Sequence, residues 1–311
     1  MIGKILAALL LLISASCSGE ERPVNGNPAE ASPIAFDGES AYAQLIKQTD
    51  FGPRNPGSTG HETTKAFLLE ELRTHADTAY SEPFTYYDEK VDSTVSLTNL
   101  HGEFNPQMEE RILLCAHWDT RPYADRDPDP AVRSRPILGA NDGASGVAVL
   151  LEIARCLGES SPGLGVDIVL FDGEDYGRGL RGDVSDYFLG AREFARKREG
   201  LYRPRMGILL DMIGDTNLNI HVERFSLARY PDVVARVWNA AEAIGLEQFH
   251  REPRYAIQDD HIPLMEAGMP VIGLIDFDYP HWHTTDDTAD KCSPVSLQAV
   301  GDLLIYLLYN N

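Results

Sequence analysis

Ile112-Leu113-Leu114-Cys115-Ala116 runs without a polar break and passes at once into His117-Trp118-Asp119. Ile168-Val169-Leu170-Phe171 repeats the plan and passes into Asp172-Gly173-Glu174-Asp175. Runs that are apolar at every position, rather than at every second one, suit strands buried on both faces. Such strands need helices on both sides of a largely parallel sheet. Two further runs fit, Ile208 to Leu210 ending on Asp211, and Val271 to Ile275 followed after a short loop by His281-Trp282-His283. Between them lie helical spacings: Phe67, Leu68, Leu69 and Leu72 within Thr64 to His75; Val147, Leu150, Leu151, Ala154 and Leu157 within Gly143 to Gly158; and Val234, Val237, Ala241 and Ile244 before a stop at Gly245. Ser293-Pro294 is a helix cap and first-turn pair for Leu297, Val300, Leu304 and Leu307. Partial alternation from Thr78 to Phe104 predicts antiparallel strands at an edge. The expected fold is therefore α/β, a three-layer α/β/α sandwich around a central mixed, mostly parallel twisted sheet.

The chain has 311 residues, 43% of them hydrophobic, enough to bury a full core. Its formal charge of −21 repels nucleic acid and anionic lipid, so a neutral or cationic ligand, such as a peptide with a free α-ammonium group, is the easier partner. Lys4, the apolar run Ile5 to Ile13 and the small-residue exit Ser14-Ala15-Ser16-Cys17 read as a secretory signal over residues 1–17. Small residues before a cysteine resemble a bacterial lipoprotein processing site, which makes Cys17 a lipidation candidate and a membrane tether. The mature protein is then expected in the periplasm or cell envelope. Residues 18–33, rich in Pro, Asn and Gly, read as a flexible tether, and 34–311 as a single catalytic domain, expected to be a monomer. With Cys17 consumed, Cys115, Cys156 and Cys292 remain, an odd number that defines no disulfide framework. Cys115 and Cys156 lie in apolar segments and read as small buried hydrophobes.

In open α/β sheets, ligands bind beyond the carboxyl ends of the strands, so acids and imidazoles far apart in sequence converge there. His117, Asp119, Asp172, Glu174, Asp175 and Asp211 all follow strand runs directly. Asp142, in Gly139-Ala140-Asn141-Asp142-Gly143-Ala144, sits just ahead of a helix, and His283 follows the last run. Imidazole with carboxylate, without paired cysteines, suits a catalytic zinc with an open position. Asp119 is placed to accept a hydrogen bond from a ligating His117. Taken singly, each residue has a plainer reading: Asp142 as a helix N-cap, Asp211 as a turn residue, His283 as a surface histidine.

Taken together, His117-Trp118-Asp119, Gly139-Ala140-Asn141-Asp142, Asp172-Gly173-Glu174-Asp175, Leu210-Asp211 and Trp282-His283-Thr284 resemble the motifs of zinc aminopeptidases of the bacterial leucyl aminopeptidase type, and of their relatives the animal-type glutaminyl cyclases. The resemblance covers nearly all of the chain after the tether. It implies that Asp142, Asp175 and His283 hold the principal zinc, that Glu174 is the general acid/base, and that His117 and Asp211 match the ligands of a second zinc in the aminopeptidases. Ile257-Gln258-Asp259-Asp260-His261-Ile262-Pro263 looks like the cyclases' own signature and brings Gln258 and Asp259 to the substrate, Asp259 as holder of the amine or leaving amide. Trp282 resembles the indole that walls the glutamine pocket in cyclases; a core aromatic is its plainer reading. Asp211 would join the proton network. The implied activity is conversion of N-terminal glutamine to pyroglutamate with one zinc. A two-zinc aminopeptidase is the alternative, and a binding protein on a dead peptidase fold is disfavoured by retention of Glu174 with the metal set. The pattern departs twice from the family, with Asp175 where glutamate is common and Gly273 where animal cyclases place a histidine. Tyr176 to Tyr187 reads as a loop beside the cleft.

Overall fold

The computed structural model describes residues 34–178 and 184–310. The expected signal, Cys17 and the tether lie outside the described residues, as does part of the Tyr176 to Tyr187 loop. In chain order the elements are α1 (Gly38–Asp50), α2 (Thr59–His75), β1 (Thr78–Asp88), β2 (Ser93–Phe104), β3 (Arg111–His117), α3 (Ala144–Glu159), β4 (Gly165–Phe171), α4 (Leu189–Arg198), β5 (Met206–Asp211), β6 (Ile220–Val222), α5 (Arg224–Arg229), α6 (Pro231–Ala243), β7 (Phe249–Pro253), α7 (His261–Glu266), β8 (Val271–Ile275) and α8 (Pro294–Tyr309).

The central sheet has six strands in the order β1-β2-β4-β3-β5-β8. β3, β4, β5 and β8 run parallel, while β1 and β2 add an antiparallel edge, as the alternation from Thr78 predicts. A separate small pair joins β6 to β7.

The continuous apolar runs are explained by burial on both faces. On β3, Ile112, Leu114 and Ala116 enter one core while Leu113 and Cys115 enter the other. On β4, Val166, Ile168 and Leu170 are likewise divided from Val169 and Phe171. The larger core is closed by α1, α2, α3, α6 and α8 through Leu45, Leu68, Leu150, Val237 and Leu304; the smaller by α4 and α7 through Phe194 and Leu264. Each such side chain contributes about 1.5–3 kcal/mol by leaving water, so a polar residue on either face of these strands would be costly.

Ser293 caps α8 as its sequence predicts, accepting from the Val295 N–H at 3.1 Å. Cys115, Cys156 and Cys292 are buried free thiols. Among the described residues, no helix is long and apolar enough to cross a membrane.

Candidate metal centre and active site

The parallel strands deliver their chemistry at one rim. His117 is the last residue of β3 and Asp211 the last of β5; Glu174 and Asp175 occupy the turn after β4, Asp142 precedes α3, and His283 follows β8. Asp142 is not a helix cap, because Gly143 takes that position and no side chain bonds the first turn of α3. Its loop depends on glycine. Gly143 has φ +105°, and a Cβ there would lie 2.5 Å from the Asp119 carbonyl oxygen. The N-terminus of α3 beside Asp142 favours the ionised carboxylate.

Two donor sets result, Asp142–Asp175–His283 and His117–Asp142–Asp211, each with its ligand atoms within 4.8 Å of one another. His283 Nε2 lies 3.7 Å from Asp142 Oδ2 and 3.5 Å from Asp175 Oδ2. Neither oxygen has a hydrogen-bond donor among the described residues, although both are buried. A tetrahedron with zinc–ligand bonds of 2.0–2.1 Å has edges of about 3.3–3.4 Å, so these three atoms fit one such ion with little movement. On the other side of Asp142, His117 Nε2 stands 3.4 Å from Asp142 Oδ1 and 3.2 Å from Asp211 Oδ1.

Around the donors lies a layer of charged groups, of which sequence reasoning singled out Asp119 and missed Asp287, Arg54, Arg121 and Asp125. Asp119 accepts from the Glu174 and Asp175 N–H groups at 3.1 and 3.3 Å and so holds the turn after β4; its distance to His117 Nδ1 is 3.7 Å, longer than the hydrogen bond expected of it. Asp287 does the same for the loop before α3, accepting from Asn141 N–H at 2.9 Å and Asp142 N–H at 3.1 Å. Arg54, fully buried, donates to the carbonyls of Trp118, Leu138 and Gly139 at 3.1, 2.8 and 2.7 Å. Arg121 donates to Asp175 Oδ1 at 2.5 Å and to Asp125 Oδ1 at 2.8 Å, and Asp125 Oδ1 reaches His283 Nδ1 at 3.3 Å. One guanidinium therefore braces two of the three donors, and it occupies an oxygen of the short Asp175 side chain. Nothing local marks Asp287, Arg54, Arg121 or Asp125, since an isolated arginine or aspartate carries no pattern.

Beside the donors opens a cavity of about 170 Å³ lined by Glu174, Asp211, Asp259, Gln258, Trp282 and Phe277 among others. It is smaller than the roughly 300 Å³ at which drug-sized sites begin, and suits one amino-acid residue. Trp282 is half-buried, lies 5.0 Å from the Phe277 ring and takes the Arg126 guanidinium 4.1 Å over its face, so it is a wall of the cavity and not a core aromatic. Burial drives the Glu174 carboxyl well above the ordinary glutamate value, with Asp175, Asp259 and Asp260 adding to the push and His117 opposing it. Asp259 rises to about 7, first from burial and then from Asp211. Asp142 stays below its ordinary value: burial pushes it up, but the bond to His117 and the charge of His283 prevail.

Not every residue at the rim joins the site. The Asp172 carboxylate turns away from the cleft, 3.0 Å from His61 Nε2, and accepts from the Thr98 N–H at 2.6 Å; the chain must reverse at Gly173 so that Glu174 can face the cavity. Trp118 is core, donating to the Thr98 carbonyl, and His281 belongs to neither donor set. At Gly273 an added Cβ would sit 3.4 Å from His261 Nδ1, so the imidazole of His261 lies where a larger residue on β8 would reach.

Phe188, Met212 and His283, all lining the cavity, have positive φ of 58°, 49° and 57°. Such backbone is rare for non-glycine residues and gathers at functional sites.

A sheet whose parallel strand ends converge on two carboxylate–imidazole sets sharing one aspartate, with a further carboxylate beside them, defines a metalloenzyme of aminopeptidase-like architecture. The family description for peptidase family M28 matches residues 99–308. The crystal structure of Bacteroides thetaiotaomicron glutaminyl cyclase, bound to N-acetylhistamine, is 36% identical with a TM-score of 0.86, covering 90% of this chain and 100% of that one. A leucine aminopeptidase precursor from the same organism is 36% identical with a TM-score of 0.87, covering 90% of this chain and 99% of its own. Bovine glutaminyl-peptide cyclotransferase is 26% identical over 294 residues, 83% of this chain and 79% of the bovine protein. The chain belongs to peptidase family M28, and its likeness to bacterial and animal cyclases places it with the glutaminyl cyclases of that family.

Proposed function

We infer that this protein is a zinc-dependent glutaminyl-peptide cyclotransferase, closing N-terminal glutamine of peptides to pyroglutamate with release of ammonia. The observation that carries the reading is the residue-sized cavity that places Glu174, Asp259 and Trp282 directly against the Asp142–Asp175–His283 donor set.

Those three residues would hold the zinc, which supplies Lewis-acid polarisation of the substrate's γ-carbonyl when bound. In the reaction the substrate's α-nitrogen bonds to its own γ-carbon, the γ-carbon–amide-nitrogen bond breaks, and no water is consumed. Glu174 takes a proton from the α-ammonium group and returns one to the departing ammonia; a carboxyl raised by burial is suited to both transfers near neutrality. Asp259 orients the amine or leaving amide, Gln258 lies at the mouth, and Asp211 extends the proton network to His117 at 3.2 Å. Trp282 and Phe277 shield the reacting amide from water, which disfavours hydrolysis.

The aminopeptidase alternative is not needed for this set of residues, although His117 and Asp211 keep a second donor set whose filling is a separate matter. The test is mass spectrometry of Gln-Ala and Leu-Ala peptides incubated with the enzyme. Loss of ammonia from the first, above the spontaneous rate, and an intact second support the cyclase; free leucine from the second with two metals per chain would replace it.

For the amino terminus we propose an exported, envelope-located monomer tethered through lipidated Cys17, with residues 34–311 as its single domain. The support is the order Lys4, apolar Ile5 to Ile13, small residues, then Cys17. Release of the protein from membranes by a Cys17→Ala substitution, with size-exclusion of the soluble form, checks both parts.

A further inference from the structure

A second cavity, of about 470 Å³, adjoins the reaction pocket, and Val184, Phe188 and Gln258 line both. Its apolar walls come mainly from α5 and α7, through Phe225 and Ala228 on one side and Ile262 and Met265 on the other. Phe225 is 38% exposed, a large aromatic left facing solvent at the groove. The protein therefore keeps a trough beginning where the pocket ends, with apolar walls and Arg192, Arg229 and Glu266 also along it.

A substrate whose first residue has its α-amine and γ-amide inside the pocket must send its backbone carbonyl, and everything after it, outward. The trough lies next to that exit. At about 3.3 Å per extended residue, the second and third side chains of a peptide leaving past Phe188 and Gln258 fall within it. The mouth is braced on that side. Arg192 donates to the carbonyls of Tyr187 and Val184 at 3.0 and 2.9 Å, with its guanidinium 5.9 Å over the Phe188 ring, so the shared wall is held in place before substrate arrives. A surface fixed in advance spends less binding energy on ordering.

We propose that the trough between α5 and α7 is the binding site for the residues that follow the N-terminal glutamine, and that it selects peptides with large apolar side chains at the second and third positions. This rests on the cyclase reading, because it takes the substrate's first residue to sit in the adjoining pocket. The trough makes no contact with the reacting atoms, so its contribution is to binding, and it acts on KM more than on kcat. An apolar pocket of this kind discriminates between substrates by roughly 10–200-fold.

The experiment measures ammonia release from Gln-Leu-Phe-amide and Gln-Gly-Gly-amide by the wild-type chain, Phe225→Ala and Ala228→Glu, the first substitution removing apolar surface and the second filling the trough with charge. Glutamine amide, which has nothing beyond the first residue, reports whether each variant is folded and loaded, and rates are normalised to it. The expected result is a wild-type preference of tenfold or more in kcat/KM for the Leu-Phe peptide, carried by KM and reduced at least fivefold in both variants. Equal turnover of the two peptides by the wild type, or an undiminished preference in the folded variants, overturns the trough while leaving the cyclase reading intact. Should Phe225→Ala fail to fold, Ala228→Glu, at an exposed position, decides alone. No ammonia from any glutaminyl substrate overturns both.

Discussion

Replacing Arg54 with methionine should be among the most damaging single substitutions outside the reaction pocket. The side chain is fully buried and donates to three carbonyl oxygens, at 3.1, 2.8 and 2.7 Å, while its own N–H donates to Thr120 Oγ1 at 2.8 Å. Burial pulls its pKa down to about 10, with Asp287, Asp119 and Asp142 opposing, so it is charged at neutrality. Methionine preserves much of the volume but takes the donor from the Trp118 and Leu138 carbonyls, leaves the Gly139 carbonyl only the Ala144 N–H at 3.2 Å, and removes one buried cation from beside those acids. Loss of one partner from a buried charged group costs about 3–5 kcal/mol. At roughly 2–4 °C per kcal/mol for a domain of this order of size, the melting temperature should fall by about 10 °C. Differential scanning calorimetry of wild type, Arg54→Lys and Arg54→Met measures it, with lysine intermediate because it keeps the charge but not the fork. Since two of the carbonyls belong to the loop before Asp142, the methionine variant should also yield its zinc to a chelator faster. A melting point within 2 °C of wild type would refute the claim that Arg54 clamps that loop.

Glu174→Gln should retain zinc by elemental analysis yet lose about 10²–10⁴-fold in kcat, the usual contribution of a positioned acid/base; a mutant with near wild-type turnover removes the assigned base. Chelation should abolish activity and lower the melting temperature together, with zinc restoring both, because a ligand bound only by the folded state stabilises it; loss of activity without a thermal shift would place the metal elsewhere. Glu82 is held at about 2, chiefly by His101, whose Nε2 lies 3.2 Å from its carboxylate, with Arg198 donating at 3.2 Å and burial opposing. A folded pKa below the unfolded one stabilises the protein above about pH 4.5, and that stabilisation is lost as pH falls toward 2. Glu82→Gln should therefore be less stable than wild type at pH 7 by urea denaturation, with the gap closing below about pH 2 to 3; a gap independent of pH would mean that packing, not charge, is responsible.

The sheet was legible because its parallel strands are buried twice over, and a strand such as β3 can hardly hide five consecutive apolar residues. α6 and α8 were legible because their apolar residues recur at helical spacing, and α3 because it is apolar and buried on nearly every side. α1 was not, since its buried face includes Gln48 and Thr49 beside Ala41 and Leu45, and polar residues that find partners inside the fold break the period. α4, with Arg196-Lys197-Arg198 in its last turn, and the three-residue β6 carry too little apolar signal to stand out. At the site, the residues read from strand ends do gather, because strand direction alone sends them to one rim. Asp172 escaped that logic, as successive residues in a tight turn face opposite ways. Arg54, Arg121, Asp125 and Asp287 were invisible for a different reason. Apart from the Arg121–Asp125 pair, their importance comes from neighbours 54 or more positions away, and no local pattern encodes such a partner.

The left-handed backbone at Phe188, Met212 and His283 has an evolutionary corollary. Each such residue holds about 1–3 kcal/mol in reserve against its preferred conformation, and the surrounding packing must supply it. Glycine at any of these sites would relieve the tension at a greater loss: Phe188 and Met212 are buried, where truncating a Met or Phe costs about 2–5 kcal/mol, and at His283 it would delete a zinc donor. Programmes that stabilise relatives by glycine replacement at left-handed residues should spare these positions, where the side chain is worth more than the strain it sustains.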